Sequence, residues 1–439
     1  MGLLVLMGTL FLLAIGFFCL KKSVNFAAGI NSIWWAAFII MAFALYDTST
    51  WNYTGMMYIE AICACALLGS EIGRRLKCIN SYGEKRDEAN QRDKKIGNLA
   101  WLMLFGIVVL ALAGQIFSLK GYGYSLSDFS NTEAYISMNT QIAYNRYNTP
   151  SGGVGALTQI LLVFSYVGPL CGGYCLAYAE KLKGLFFSLI TLVPIIFGMM
   201  FTNTKAGFIA SVMLFAAGFL VAYTGKNRHF INIDFKMIAL LVVLGGALFL
   251  ILFAVMCIRV GDFSDETITI IKNKFAEYAV GQMQAFELWF ENLRPDESKL
   301  EWGCNTFLAV ADKLGLKIKV QGVYDLIEGA SSNIFTAIRG VVTDFGLFGG
   351  LLFYLVTGML GGMCEKKIKS AYSVTAIVIT TAILFYYLYG FIISPWIYTS
   401  YILAFVSFYV FCLFAGYSVK CQKVKLILGR KYVKKIETK

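Results

Sequence analysis

The sequence predicts an all-α, polytopic membrane protein with about eleven transmembrane helices and one large, partly helical loop outside the membrane. Apolar residues make up 58% of the 439-residue chain and charged residues 15%, a composition that excludes an ordinary soluble domain. The apolar residues gather in runs of about 20, the length that a helix needs to cross the hydrocarbon core of a bilayer. The sequence lacks the short alternating segments that are typical of a transmembrane barrel.

The predicted spans follow one another along the whole chain. They cover residues 2–20, 26–46, 55–73, 97–118, 152–180, 184–201, 206–224, 237–258, 341–363, 371–391 and 396–418. The first run has no positively charged start and no small-residue cleavage site. We therefore interpret it as a retained helix rather than a signal peptide.

The segments between the spans alternate between rich and poor in Lys and Arg. The rich segments are 21–22, 74–96, 181–183, 226–236, 366–369 and the tail from residue 419. By the positive-inside rule these segments are cytoplasmic, so we expect an external N-terminus and a cytoplasmic C-terminus. The net charge of +12 follows from this distribution and does not indicate nucleic-acid binding.

The longest predicted external segment is 259–340, which carries nine Lys and Arg against twelve Asp and Glu. Helical spacing of apolar residues predicts one helix over 264–293 and a shorter one over 306–314. We expect both helices to lie on the outer membrane surface above a site. The chain then divides into a bundle of about eight spans (1–258), the external loop (259–340), a bundle of three spans (341–418) and a basic cytoplasmic tail (419–439).

Two spans that begin on the predicted external side open with a cation, Lys205 and Arg339. The N-terminus of a helix carries partial positive charge and unpaired N–H groups, so it favours anions and disfavours cations. A phosphate bound there would reverse the sign of both effects. The alternative is that both side chains extend to lipid headgroups.

Asp344 is a carboxylate that the sequence places about 6 Å inside the ninth span, by a rise of 1.5 Å per residue. Because a charge is unfavourable in lipid, we expect it to face the bundle interior or a water-filled cavity. It lies about 140° around the helix from Arg339, so the two are poor partners. Its partner is then a substrate or a group on another span, such as the cation of an interhelix ion pair.

Further charged candidates on the predicted external side are Arg146, Arg259 and Glu277, each of which is by itself typical of a solvated surface. The one histidine, His229, falls in a cytoplasmic segment, which excludes an external histidine base. The spacing of Cys, His, Asp and Glu indicates no metal site, and no cofactor is expected.

Two stretches, GCNTFLAVADKLGLKIKV (303–320) and SSNIFTAIRGVVTDFGLFGG (331–350), resemble the bacterial oligosaccharide repeat-unit polymerases. These Wzy-type O-antigen polymerases are GT-C-like integral membrane glycosyltransferases. The matching positions are Gly303, Thr306, Phe307, Asn333, Phe335, Thr336, Arg339, Asp344, Phe345, Gly346 and Gly349. The stretch TNTKAGF is similar to another family motif, although Lys205 stands where many members have Arg.

The resemblance implies an enzyme of lipopolysaccharide biosynthesis at the outer face of the bacterial inner membrane. Such enzymes take undecaprenyl-pyrophosphate-linked oligosaccharides as substrates and transfer the growing chain to an incoming lipid-linked repeat. The pyrophosphate leaving group drives the transfer, so neither a nucleotide sugar nor a cofactor is required. A chain-length-regulating co-polymerase is an expected partner beside the membrane lipid.

The resemblance also suggests roles for the candidate residues. Arg339, Lys205 and Arg259 would bind pyrophosphate, with Arg146 helping and with Asn333 and Thr336 contacting substrate. Asp344 or Glu277 would be the general base or would orient it.

Two alternatives remain open at this point. An O-antigen ligase shares the donor but usually has an external histidine. A flippase or secondary transporter would favour charged or broken helices at the bilayer midplane and internal repeats.

Overall fold

The computed structural model describes residues 1–76, 96–148, 155–202, 205–232, 264–292, 299–319, 332, 334 and 336–415, together with 246, 250 and 253. These residues form helices and connecting turns, with no strand in the described ranges. The helices are α1 (Gly2–Lys21), α2 (Phe26–Leu45), α3 (Thr54–Arg75), α4 (Asn98–Gly121), α5 (Thr132–Asn148), α6 (Ala156–Leu176), α7 (Leu182–Leu189), α8 (Val193–Thr202), α9 (Lys205–Asn227), α10 (Asp265–Asn292), α11 (Leu308–Lys313), α12 (Ala337–Ser370), α13 (Val374–Tyr389) and α14 (Thr399–Ala415).

Eight helical segments in the described part of the chain are long and apolar enough to cross a membrane. They are α1, α2, α3, α4, α6, the pair α7–α8, α9 and α12, while α13 and α14 are shorter apolar helices. The polytopic, all-helical prediction is confirmed in this form. The count of eleven is not, because two of the predicted runs form shorter helices and the run 237–258 lies almost wholly outside the described residues.

Helices α3 and α12 pack against each other at the centre of the bundle. A Cβ atom placed on Gly69 or Gly73 of α3 would lie 2.0 Å from a backbone oxygen of α12. Gly358 and Gly362 of α12 face the backbone of α3 in the same way, at 2.2 and 2.0 Å. Four glycines therefore bring the two backbones into direct contact, as small residues do between membrane helices.

Basic segments that the sequence assigns to the cytoplasm meet at one end of the bundle. The Nζ atom of Lys369 donates to the carbonyl of Ser23, and the backbone N–H of Phe230 donates to the hydroxyl of Ser23 at 2.8 Å. The Nζ atom of Lys366 donates to the carbonyl of Leu76 at 3.2 Å. We call this the basic end and the opposite one, where α3, α9 and α12 begin, the site end.

Helices α10 and α11 agree closely with the helices that the sequence predicts over 264–293 and 306–314. The second half of α10 packs on α2 and α3 and buries Phe286, Trp289 and Phe290. Since α3 begins at the site end, α10 covers the bundle there. Its position relative to the membrane stays a prediction.

Candidate functional site

Asp344 ties the turn formed by residues 301–307 to α12. The residue is fully buried, and its Oδ1 atom accepts from the backbone N–H and from the side-chain amide of Asn305, both at 2.9 Å. Its Oδ2 atom accepts from the backbone N–H of Thr306 at 2.6 Å. The Asp344 carbonyl accepts from the N–H of Trp302 at 3.0 Å. Asp344 therefore joins the two halves of the polymerase-like motif.

A lysine extends this contact outward from the helix. The Nζ atom of Lys317 donates to Oδ1 of Asn305 at 2.7 Å and pairs with the carboxylate of Glu301. Within the described part of the chain, the hydrogen-bond partners of the Asp344 carboxylate are N–H groups of a turn and not the cation of an interhelix ion pair. Because both carboxylate oxygens accept hydrogen bonds from this turn, Asp344 is suited to hold the turn in place.

Aromatic side chains and glycines of the motif complete the packing of the turn. The ring of Phe353 lies 6.0 Å from that of Phe345 and 6.3 Å from that of Phe307, centroid to centroid. Gly303 lies beside these rings and has φ of 93°. A Cβ atom on it would lie 3.6 Å from the rings of both Phe307 and Phe345. A positive φ favours glycine, so this position cannot change without strain.

Helix α12 is interrupted at Gly346, whose backbone has φ of 73° and ψ of −178°. Beside the break, the hydroxyl of Tyr58 on α3 donates to the carbonyl of Leu347 at 2.7 Å. Glycines in an apolar helix often allow a neighbouring helix to approach closely. Gly350 has this role, because a Cβ atom there would lie 2.3 Å from the Tyr58 hydroxyl, whereas Gly346 breaks the helix.

The break divides α12 into a short first segment, which carries Arg339 and Asp344, and a long second segment. The uncharged residues 347–364 of the second segment extend about 27 Å at 1.5 Å per residue, close to the roughly 30 Å of the hydrocarbon core. The break therefore lies near one boundary of that core. The candidate span is the whole of Ala337–Ser370, so the expectation that Asp344 lies about 6 Å inside a span stays a prediction.

The first turn of α12 is held by the segment that follows α13. The backbone N–H of Ala337 donates to the carbonyl of Gly390 at 2.6 Å. The hydroxyl of Ser394 donates to the carbonyl of Thr306 at 2.7 Å. Three segments that are distant in sequence thus meet where α12 begins.

Two hydroxyl groups are buried at this helix start. Thr336 is the N-cap residue of α12, and Thr306 lies close enough that a Cβ atom on Gly340 would be 3.8 Å from its Oγ1 atom. Neither Oγ1 atom has a hydrogen-bond partner among the described residues. Buried hydroxyl groups are normally hydrogen-bonded, so this pair indicates a place for a polar ligand or water.

Arg339, the third residue of α12, contacts the covering helix α10. Its Cζ atom lies 5.5 Å from the centroid of the Trp289 ring. A cation over an indole ring is stabilised by about 0.5–2 kcal/mol, which offsets the unfavourable interaction of Arg339 with the helix dipole. The side chain is therefore oriented in advance of any ligand.

Glu277 lies on α10, twelve residues before Trp289. At 1.5 Å per residue this separation is about 18 Å along the helix axis. Because Arg339 contacts α10 at Trp289, the structure does not bring Glu277 and Arg339 together.

For the remaining predicted site residues, the structure gives the helix to which each belongs or does not describe the residue. Lys205 is the first residue of α9, at the site end as predicted. Arg146 belongs to α5, which packs on α8 through the hydroxyl of Tyr135, although its side chain is not among those described. Arg259 and Asn333 lie outside the described residues.

Sequence reasoning missed Glu287 as a structural residue of this region. Glu287 is 2% exposed, and its Oε2 atom accepts from the N–H of Met56 at 2.9 Å in the first turn of α3. The N–H groups of Thr54 and Gly55 also favour the carboxylate, but burial dominates and raises the pKa of Glu287. Glu287 thus attaches α10 to the start of α3.

The Glu287→Gln variant tests this attachment through its pH dependence. Because the pKa of Glu287 is raised in the folded state, its contribution to stability is largest at low pH. That contribution decreases as the pH rises above the ordinary value of about 4.3. Thermal unfolding in detergent between pH 4 and 8 should therefore show that the stability of the variant increases relative to that of the wild type as the pH rises. Glu133→Gln, at an exposed position of α5, controls for the loss of charge. A pH-independent difference for Glu287→Gln would contradict the assignment.

Comparison of the chain with protein-family models, curated proteins and solved structures returns no match. The described residues contain no group of three or more His, Cys, Asp and Glu side chains that is able to hold a metal ion. The functional argument therefore depends on the start of α12, the turn 301–307 and the side chains around them.

Proposed function

We propose that this protein polymerises polyprenyl-pyrophosphate-linked oligosaccharide repeat units at the outer face of a bacterial inner membrane. The growing chain would leave its polyprenyl pyrophosphate and pass to an incoming lipid-linked repeat. The observation that carries the proposal is the joining of the two motif stretches by Asp344. It brings a preoriented cation, a helix N-terminus and two buried hydroxyl groups into one region.

This combination suits a phosphate leaving group. Arg339 would supply positive charge and hydrogen bonds to the pyrophosphate, and its planar guanidinium can bind two phosphate oxygens at once. The hydroxyl groups of Thr306 and Thr336 can donate to further oxygens. Groups that are held in place before the reaction stabilise developing charge most effectively. Lys205 and Arg259 remain proposed ligands of the same pyrophosphate.

Neither of the two candidates that the sequence suggested fits the role of catalytic base in this proposal. A base must lie within hydrogen-bond reach of the attacking hydroxyl, and even in inverting glycoside hydrolases the two catalytic carboxyl groups are only about 6.5–9.5 Å apart. Glu277, about 18 Å along α10 from the Arg339 contact, is too far for that role. Asp344 acts as a positioning residue, because its oxygens already accept N–H groups of the turn.

The break at Gly346 also bears on the transporter alternative. Broken helices in transporters lie near the bilayer midplane. Here about 27 Å of uncharged helix, residues 347–364, follows the break, which favours a position near one boundary of the hydrocarbon core over the midplane. His229 lies at the basic end beside Phe230, away from the first turn of α12 that carries Arg339, which disfavours a ligase-like histidine mechanism.

The Arg339→Ala variant tests the proposed function. In cells whose surface polysaccharide depends on this chain, we expect only single repeat units, because losing one preorganised charge contact lowers the rate about 10²–10³-fold. Arg339→Lys should restore short chains, since Lys keeps the charge but not the bidentate geometry. The polymer ladder on a gel is the measurement.

The control is Lys120→Ala, which removes an exposed cation at the end of α4 and should leave the ladder unchanged. A normal ladder with well-expressed Arg339→Ala protein would exclude the pyrophosphate role. A normal ladder after deletion of the whole chain would exclude polymerisation itself.

A further inference from the structure

The segment 302–318 exposes apolar side chains, although it is a folded part of the protein. Trp302 and Ile318 are 77% and 81% exposed, and Leu314 and Leu316 are each 68% exposed. Together with Phe307 and Val310, we call these residues the apolar face. On the other side of α11, Ala309 and Ala311 are buried against the protein. A concentration of exposed apolar side chains in one short folded segment indicates an interaction site.

The apolar face is held rigidly from behind by polar contacts. Lys319 donates through Nζ to the carbonyl of Ile397 at 2.7 Å and lies 4.4 Å from the ring centroid of Tyr398. Its backbone N–H donates to Asp312 at 3.0 Å, and Lys317 binds Asn305. The polar groups therefore point toward the protein and the apolar groups away from it, the reverse of a loop that faces water.

The spanning part of α12 carries a lipid-facing stripe that ends beside this segment. Phe348 is 79% exposed and is followed at intervals of four residues by the exposed side chains Leu352, Val356 and Leu360. The N–H of Trp302 donates to the carbonyl of Asp344, four residues before Phe348. The apolar face thus begins where the stripe ends.

The length of α12 shows which part of the bilayer this junction meets. The uncharged residues 347–364 extend about 27 Å, close to the roughly 30 Å of the hydrocarbon core, so Phe348 lies near the boundary of that core. The neighbouring apolar face then lies at the level of the headgroups. Trp is enriched at that level, and elements with an apolar face and nearby Lys bind there in the plane of the membrane. Lys313, which is exposed at the end of α11, fits the same surroundings.

We propose that residues 302–318 form an interfacial anchor, which embeds its apolar face in the headgroup region of the bilayer beside α12. The occupant of the surface is lipid. The anchor fixes the turn 301–307, and with it the first turn of α12, at the height of the lipid phosphates. This inference does not depend on the proposed polymerase activity.

Trp302 itself can report on the anchor. The full-length protein and its Trp302→Phe variant are placed in phosphatidylcholine vesicles whose lipids are brominated at shallow or deep positions of the acyl chain. The difference between the two emission spectra isolates Trp302. We expect it to lose about half or more of its emission to shallow bromine, less to deep bromine, and little to acrylamide in the water.

The same subtraction with the Trp35→Phe variant isolates the emission of Trp35, which is 1% exposed within α2. That emission should respond to neither quencher. If acrylamide quenches Trp302 and brominated lipid does not, the face is in water and the proposal is wrong. If neither quencher acts, another part of the chain covers the face, which also overturns it. Ile318→Trp in the Trp302→Phe background repeats the measurement at the far end of the face and does not require native packing at Trp302.

Discussion

Replacing Asp344 with Ala is expected to lower the free energy of unfolding by about 2–6 kcal/mol. Two backbone N–H groups, of Asn305 and Thr306, lose their acceptor inside the protein, at about 1–3 kcal/mol each. Asp344→Asn should restore only part of this loss, because the new amide places N–H groups against an N–H donor of the turn. The measurement is thermal or chemical unfolding of the purified protein in detergent.

Two controls separate the loss of this contact from the loss of a charge. Asn305→Ala removes one side-chain amide and leaves both backbone contacts, so it should cost about 1 kcal/mol. Asp47→Ala removes an exposed carboxylate that accepts only from Ser49, and it should change stability by less than about 0.5 kcal/mol. Equal stability of the Asp344 and Asp47 variants would contradict the structural role.

The same variants distinguish a positioning residue from a catalytic base. If Asp344 were only a catalytic base, Asp344→Asn would abolish the activity and leave the fold intact. If Asp344 positions the turn, Asp344→Asn loses stability and also exposes residues 301–307 to proteolysis. The proteolysis rate of this turn is therefore a readout that a purely catalytic role would not change.

Local patterns made the helices predictable from the sequence. Long apolar runs locate α1, α2 and α3 within two residues at each end, and the spacing of Phe286, Trp289 and Phe290 predicts α10. The prediction that Asp344 requires a partner also followed from a local cost, the burial of a charge.

The partner itself was not predictable, because Asn305 and Asp344 are 39 residues apart and no local rule pairs them. The break at Gly346 was hidden for another reason. Glycine is also the residue that allows helices to approach closely, so a glycine in an apolar run does not reveal which role it has. The backbone angles of Gly346 distinguish the two roles in the structure, and the neighbouring Tyr58 contacts the carbonyl after the break.

Replacing Gly362 with Ala is expected to destabilise the protein by about 3 kcal/mol or more, the upper part of the range for overpacking. The added Cβ atom would lie 2.0 Å from the backbone oxygen of Ser70 on α3. A backbone atom cannot turn away as a flexible side chain can, so α3 and α12 must separate.

The neighbouring glycine provides a matched control. A Cβ atom on Gly361 would meet only the side chain of Ile383, at 3.8 Å. Gly361→Ala should therefore be neutral or stabilising by up to about 1 kcal/mol, because Ala favours the helix. Unfolding temperatures of the two variants in detergent are the measurement, and equal values would mean that the contact between α3 and α12 does not limit stability.

The effect should extend from this contact to the start of α12. Helix α3 also carries Tyr58, which contacts the break in α12, and its first turn binds Glu287 of the covering helix. If α3 moves away from α12, Tyr58 leaves the carbonyl of Leu347, and α10 moves with α3 and takes Trp289 away from Arg339. Gly362→Ala should therefore shorten the polymer ladder even at temperatures at which the protein remains folded, whereas Gly361→Ala should not.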